Sequence, residues 1–135
     1  MTERRRGGKK MIYIIEQQNS NPNIQPFIEN YLKEYYPRIP FQSLKNSIDI
    51  TNIQHNTYFI INDNNNPDDY LNLASKIRKN DQFGHIILIT KNIDYQSLFR
   101  SHIAFFEIID SDQQPELQII DCINFLFHNT SNQAT

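Results

Sequence analysis

The stretch Thr57-Tyr58-Phe59-Ile60-Ile61-Asn62-Asp63 joins a run of aromatic and β-branched residues to a cluster of asparagines and aspartates. A short apolar run that ends at Asn64-Asn65-Asn66-Pro67 is typical of a buried central strand followed by a loop. Ligands of open α/β sheets bind outside the carboxyl ends of the strands, so we expect any active site to lie at residues 61–63. The groups at this strand tip therefore decide whether the chain can carry out a reaction.

The composition is that of one compact domain. The chain has 135 residues, of which 39% are hydrophobic, and its formal net charge is −2. This length leaves no room for a second large domain, and the charge does not favour nucleic acid or an anionic membrane surface. Cys122 is the single cysteine, and no apolar segment has the length of a signal peptide or a membrane span. We therefore expect a cytoplasmic protein, without a metal site or a cofactor.

We place the folded domain at residues 11–128, between two tails. Residues 1–10 include five basic side chains and predict a disordered tail. The alternative for this segment is an arm that contacts nucleic acid, which would bind weakly and in a salt-sensitive manner. Residues 129–135 are predicted to form a second disordered tail.

Strand-like and helix-like segments alternate along the domain. Apolar runs predict strands in the opening stretch and at residues 11–15, 39–44, 85–90 and 104–109. Helical spacing predicts helices at about 23–36, 67–79 and 94–101 and from about 114 onward, with a short further helix carrying Ile48, Ile50 and Ile53. This alternation favours an α/β fold of the flavodoxin-like type, a doubly wound parallel sheet of five strands in the order 2-1-3-4-5 with about five helices.

Four short motifs in these segments resemble the receiver domain of response regulators. The motifs are Tyr58-Phe59-Ile60-Ile61, Ala74-Ser75-Lys76-Ile77-Arg78-Lys79-Asn80-Asp81, Ile86-Ile87-Leu88-Ile89-Thr90 and Ile119-Ile120-Asp121-Cys122. The similarity covers about residues 11–128 and is greatest to LytTR-type regulators of peptide quorum sensing and competence in Gram-positive bacteria. It implies a CheY-like fold and a role in two-component signal transduction and transcription regulation. The DNA-binding domain that follows the receiver in those regulators is not found between Phe127 and Thr135, which is compatible both with a piece of a longer regulator and with a stand-alone one.

The same resemblance implies a phosphorylation pocket that is incomplete in this chain. A working receiver uses two acidic residues, an acceptor aspartate, a hydroxyl and a lysine to hold Mg²⁺ and the phosphoryl group. The corresponding positions are Glu16 and Gln17, Ile61, Thr90, and Ile109 or Asp110. An isoleucine cannot accept a phosphoryl group, and no lysine follows Lys91. The resemblance therefore implies a pseudo-receiver that is not an enzyme.

Asp63 leaves a second interpretation open, because it lies two residues past the strand tip. It could be a relocated phosphoacceptor in a Mg²⁺-dependent receiver of a two-component phosphorelay. The alternative role is a loop carboxylate that supports turns and the helix cap, with Asn62 pointing outward. A flavin or nucleotide site is disfavoured because the loop at residues 17–21 has no glycine that would allow close approach of a phosphate.

The last two helices and the strand between them form the predicted interaction face, which in receivers carries dimerisation and partner binding. Its candidate residues are Leu98, Phe99, Ile103, Phe106, Phe125 and Phe127. The apolar residues 125–127 cannot all face the core at 3.6 residues per turn, so at least one should be exposed or covered by a partner. We expect a protein partner, either a second copy of the chain or a related regulator, and neither nucleic acid nor membrane.

The remaining residues of catalytic type are predicted to be structural. His55, His85, His102 and His128 lie in separate segments without a shared spacing. Cys122 has apolar neighbours on the last predicted helix and is expected to fill space in the core.

Overall fold

The computed structural model describes the backbone of residues 10–18, 20–49, 55–64 and 66–133, and the side chains of these residues up to His128. Strands and helices alternate along this part of the chain. They are β1 (Ile12–Glu16), α1 (Ile24–Tyr35), β2 (Phe41–Lys45), β3 (Thr57–Ile61), α2 (Pro67–Asn80), β4 (His85–Thr90), α3 (Tyr95–Ser101), β5 (Glu107–Asp110) and α4 (Pro115–Gln133).

The five strands form one parallel sheet in the order β2-β1-β3-β4-β5. This order confirms the predicted arrangement 2-1-3-4-5. β3 lies at the centre between β1 and β4, and all five of its residues are buried. The opening stretch is therefore the central strand that its composition predicts.

Neighbouring residues of β3 point to opposite faces of the sheet, and each face has its own hydrophobic core. Phe59 and Ile61 pack with residues of α1 and α4. Tyr58 and Ile60 pack with residues of α2 and α3. Two helices therefore cover each face, as in a doubly wound fold.

The described residues contain four helices, so the expected number of about five is wrong. Of the residues that predict the short further helix, Ile50 and Ile53 lie outside the described residues. Ile48 is buried in an irregular segment that follows β2. The hydrophobicity of Ile48 thus reflects burial against the α2 and α3 core rather than a helical turn.

β5 begins at Glu107, three residues later than the predicted strand at 104–109. The carbonyl of Ala104 accepts a hydrogen bond from Nη2 of Arg78 on α2, at 2.6 Å. Sheet pairing begins only at Phe106, whose N–H donates to the carbonyl of Ile86 at 2.8 Å. Apolar composition alone does not reveal that the first part of this segment is bonded to a helix.

α2 begins where the sequence predicts. Pro67 occupies the first turn, the Asn66 side chain accepts a hydrogen bond from the N–H of Asp68 at 3.0 Å, and Asp68 and Asp69 lie near the positive end of the helix dipole. The cap is thus an asparagine, and Asp63 does not provide it.

The predicted tails meet the limits of the described residues. All of the tail at 1–10 except Lys10 lies outside them, as do residues 134 and 135. Helical backbone of α4 continues to Gln133, past residue 128, where the predicted domain ends.

Candidate functional site

The carboxyl ends of β1, β3, β4 and β5 bring the predicted pocket positions to one edge of the sheet. The register places Glu16 beside Ile61, and Ile61 beside Ile89. Thr90 lies beside Asp110 at the end of the neighbouring strand pair. We call this region the carboxyl edge, and the opposite ends of the strands the amino edge.

The apolar members of the predicted pocket are core residues. Ile61 and Ile109 are completely buried and pack with the α1 and α4 core. Thr90 is also buried, and its hydroxyl donates over a long 3.4 Å to the carbonyl of Lys91. Solvent and solutes therefore do not reach these three side chains.

Glu16 is the single carboxylate at the position where receivers carry an acidic pair. It forms an ion pair with Lys45, its neighbour on the edge strand β2. Within the described part of the chain, no three His, Cys, Asp or Glu side chains are close enough together to hold a metal ion.

Asn62 is completely buried, so the expectation that it points outward is wrong. Its Nδ2 donates to Oε1 of Gln17 at 2.7 Å, and its Oδ1 accepts from the N–H of Asn64 at 2.7 Å. Gln17 in turn donates through Nε2 to the carbonyls of Asn46 at 3.2 Å and Asp69 at 3.3 Å. Burial of these amides is tolerated because they bond to one another and to the backbone.

A small cavity of about 210 Å³ lies beside these amides and is lined by Gln17, Gln18, Asn46 and Asp69. Both amide atoms of Gln17 that face this region are already hydrogen-bonded. A ligand in the cavity would therefore have to break existing bonds before it could bind this side chain.

Asp63 is buried at the carboxyl edge, with 7% of its surface exposed. Its Oδ1 accepts a hydrogen bond from Oγ of Ser111 at 2.6 Å, and its Oδ2 accepts from the N–H of Asn21 at 3.0 Å. Sequence reasoning missed Ser111, although a serine directly after the last strand falls at the same edge by topology. Asp63 therefore joins the end of β3 to the segments that precede α1 and α4.

The predicted interaction face separates into surface and core residues. Phe99 and Phe125 are 83% and 77% exposed. The exposure of Phe125 confirms the expectation that at least one of residues 125–127 is exposed. Phe106 is half-buried, with its ring centroid 5.7 Å from that of Phe125. Leu98 and Phe127 are buried in the two cores and do not contribute to the surface.

Ile103 is half-buried and packs against the core between the sheet and the α2 and α3 helices. The surface part of the predicted face therefore consists of Phe99 on α3 and the Phe106–Phe125 pair beside and on α4. We call these three residues the aromatic surface.

The amino edge contains a polar network that sequence reasoning missed. Asp81 is completely buried, and its Oδ2 accepts hydrogen bonds from Oη of Tyr58 at 2.7 Å and from the N–H of Asn56 at 3.0 Å. Burial and the neighbouring Asp81 raise the pKa of Tyr58 above its ordinary value. Arg78 donates to the carbonyls of Gly84 at 2.7 Å and Gln82 at 2.8 Å, which closes the turn between α2 and β4.

The histidines lie in separate surroundings. The ring of His85 meets that of Phe106 edge-on at 5.2 Å, and His55 meets Phe83 in the same way at 5.5 Å. His102 ends α3 in a left-handed backbone conformation, with φ 58°. Burial lowers the pKa of His85, with smaller contributions from nearby positive side chains.

No family model matches the chain, and no curated protein or solved structure shows significant similarity to it. The structure itself defines the class, an α/β protein whose described residues form one all-parallel sheet of five strands. None of the helices in the described residues is long and apolar enough to cross a membrane.

Proposed function

We propose that the chain is a pseudo-receiver, a domain of the response-regulator type that acts by protein–protein interaction without phosphorylation in transcriptional or quorum-sensing regulation. The observation that carries this proposal is the complete burial of Ile61 at the tip of the central strand. Its hydrocarbon side chain offers no atom that could accept a phosphoryl group.

The groups around Ile61 support the same proposal. The carboxylate of Glu16 is paired with Lys45, and the amides of Gln17 and Asn62 bond to each other. Stabilising a transferred phosphoryl group requires cations and donors that are free to meet its oxygens. At this edge the corresponding groups are instead occupied by contacts within the chain.

The proposed partner is a second copy of the chain, bound through the aromatic surface. Within the described residues β5 is an edge strand that pairs only with β4. The exposed Phe99 and Phe125 lie on α3 and α4, the helices before and after this strand. Large exposed aromatic side chains are a frequent component of protein interfaces. A related regulator with a matching surface would be the alternative occupant.

Sedimentation over a range of protein concentrations tests this partner. We expect self-association of the wild-type chain, and we expect Phe125→Ser to weaken it by about tenfold or more, as for loss of an aromatic hot spot. Phe83→Ser is the matched control, because Phe83 is 64% exposed in the turn before β4 and lies outside the aromatic surface. A chain that stays monomeric at high concentration, or equal effects of the two variants, would contradict the proposed dimer.

The second candidate function is a phosphorelay receiver that uses Asp63, which lies at the carboxyl edge as topology requires. Against it, both carboxylate oxygens already accept hydrogen bonds, from Ser111 and Asn21. After incubation with acetyl phosphate and Mg²⁺, we expect no added phosphoryl mass on the intact wild-type chain. Added mass that is lost in Asp63→Asn but kept in Asp69→Asn would overturn the pseudo-receiver proposal.

A further inference from the structure

The Asp63 side chain connects two helices that lie on the same face of the sheet. Asn21, which donates its N–H to Oδ2, precedes α1 by three residues. Ser111, which donates its hydroxyl to Oδ1, precedes α4 by four residues. α1 and α4 share one hydrophobic core. The Asp63 carboxylate is thus bonded to the segment before each helix of this pair.

The link from Ser111 to α4 is short and tightly folded. The N–H of Ser111 donates to the carbonyl of Thr90 at 3.0 Å, and the N–H of Gln113 donates to the carbonyl of Asp110 at 3.1 Å. Gln114 then adopts φ 51°, in the left-handed region that residues other than glycine seldom occupy. Because these hydrogen bonds restrict the backbone of residues 110–114, we expect a displacement of Ser111 to displace Pro115 at the start of α4 as well.

The two helices are also joined further along. Oδ1 of Asn124 on α4 accepts hydrogen bonds from Oη of Tyr31 at 2.9 Å and from Oη of Tyr36 at 2.6 Å. This second connection ties α4 to α1 itself and not to the sheet. At the tip of the central strand, Oγ of Ser20 before α1 donates to the carbonyl of Ile61 at 2.6 Å, and Asp63 is bonded to the segments before both helices.

We propose that Asp63 is an internal clasp that holds α4, and with it Phe125 of the aromatic surface, in one position on the sheet without covalent modification. Hydrogen bonds to a carboxylate are about twice as strong as those between neutral groups, and exclusion of water strengthens them further. This proposal rests on the proposed function only where it assigns the aromatic surface a role in binding a partner. The helix position itself can be measured independently of any partner.

Cys122 supplies a native probe of α4, since it is the single cysteine of the chain and is buried on this helix. Burial raises the pKa of its thiol to about 11, so the folded chain should react slowly with thiol reagents near pH 8. Movement of α4 away from the sheet would expose the thiol. The labelling rate, followed by intact mass at a concentration low enough to keep the chain monomeric, therefore reports the opening of α4.

We expect Ser111→Ala to increase the rate of Cys122 labelling by about tenfold, the effect of losing one charge-assisted hydrogen bond. Asp63→Asn, which keeps the side-chain volume, should act in the same direction. Ser111→Thr keeps the hydroxyl and should restore a rate close to the wild type. Asp112→Asn removes a charge from an exposed side chain of the same turn and should leave the rate unchanged.

Amide hydrogen exchange in β4, measured on the same variants, separates the clasp from a general loss of stability. Loss of the clasp also lowers the free energy of unfolding, and exchange at Ile87 and Leu88, in the centre of the sheet, follows that global stability. The proposal therefore requires that Tyr58→Phe, which weakens the fold from the opposite face of the sheet, accelerates this exchange and leaves the labelling of Cys122 unchanged, whereas Ser111→Ala accelerates the labelling. Faster labelling of Cys122 in Tyr58→Phe, or unchanged labelling in Ser111→Ala and Asp63→Asn, would overturn it. Failure of the wild-type chain to self-associate would instead count against the proposed partner and leave the clasp standing.

Discussion

Asp63 at the carboxyl edge and Asp81 at the amino edge are both buried carboxylates, with 7% and 0% of their surface exposed. Asp63 uses one oxygen for Ser111 and the other for Asn21. Asp81 receives both of its hydrogen bonds on Oδ2, whereas its Oδ1 is buried without a partner among the described residues. The two ends of the sheet thus each carry a buried aspartate, but both oxygens of Asp63 are hydrogen-bonded and only one oxygen of Asp81 is.

A buried carboxylate in this fold can be a ligand site or part of the framework, depending on the edge of the sheet at which it lies. Topology places ligands of open α/β sheets at the carboxyl ends of the strands and not at the amino ends. Asp81, at the amino edge, instead accepts hydrogen bonds from Tyr58 and Asn56 and connects α2 to the start of β3. Asp63, which is better satisfied by its surroundings, fits a structural role at least as well.

A carboxylate in place of Ile61 should have the largest effect on stability, because it would add a third buried acid, and this one would have no hydrogen-bond partner. We expect Ile61→Asp to reduce the free energy of unfolding by about 4 kcal/mol, since an unpaired charge and a cavity are created together. Urea denaturation measures this loss. Ile61→Val is the control for shape, with an expected loss of about 1 kcal/mol.

A similar effect of the two Ile61 variants would mean that the tip of β3 tolerates a charge. Phosphorylation of the Ile61→Asp variant by acetyl phosphate and Mg²⁺ would show that the groups around residue 61 can still support phosphoryl transfer.

Removal of the Asp81 carboxylate should have the next largest effect. We expect Asp81→Ala to destabilise the fold by about 3 kcal/mol, because the hydroxyl of Tyr58 and the N–H of Asn56 lose their acceptor inside the protein. Tyr58→Phe removes one donor and leaves the acceptor, so we expect a loss of about 1 kcal/mol. Chemical denaturation of both variants gives the comparison, and a larger loss for Tyr58→Phe would contradict the assignment of Asp81 as the centre of the network.

Substitution of Asp63 at the carboxyl edge should destabilise the fold less than substitution of Asp81. We expect Asp63→Asn to lower the free energy of unfolding by about 1.5 kcal/mol, since the amide keeps one acceptor but turns a donor toward the N–H of Asn21 or the hydroxyl of Ser111. Thermal or urea unfolding measures the change against Asp112→Asn, for which we expect less than about 0.5 kcal/mol. A loss for Asp63→Asn as large as that for Asp81→Ala would remove the distinction between the two edges.

The smallest expected effect is the dependence of stability on pH that arises from His85 at the amino edge. Burial, followed by the positive charges of Lys10, Arg78 and His55, lowers the pKa of His85 below its ordinary value of 6.5, and Asp81 opposes this in part. The unfolded chain therefore binds the proton more readily, so stability is complete above about pH 6.5 and declines as the pH falls through that value toward the lowered folded pKa.

Urea unfolding at several pH values between about 5 and 7.5 measures this decline. His85→Gln should make the curve flatter in that range. An equally steep curve for His85→Gln would assign the decline to other groups.

Regular apolar patterns were sufficient to predict most of the fold. The run at His85–Thr90 and the helix that starts at Pro67 were predicted at their observed positions, because each depends on residues next to one another in sequence. The side-chain contacts of the carboxyl edge depend on residues far apart, such as Asp63 and Ser111, which are separated by 48 positions. Local periodicity carries no information about such pairs.

Asn62 illustrates the same limit at a single residue. A polar side chain after a buried strand favours a solvent-exposed position, and hydrogen bonds to Gln17 across the sheet edge and to the N–H of Asn64 make its burial tolerable. The network around Asp81 was missed for a similar reason, since its aspartate, tyrosine and arginine lie in segments with ordinary strand and helix patterns.

The strand order has a consequence for how the chain folds as it is synthesised. β2 and β3 both pair with β1, β4 pairs with β3, and β5 pairs with β4, so every strand after the first meets a neighbour that was made before it. Chains emerge from the ribosome N-terminus first, and domains fold as they become available. Each new strand can therefore pair with one already present, and from β3 onward the open edge on the longer side of the sheet belongs to the newest strand.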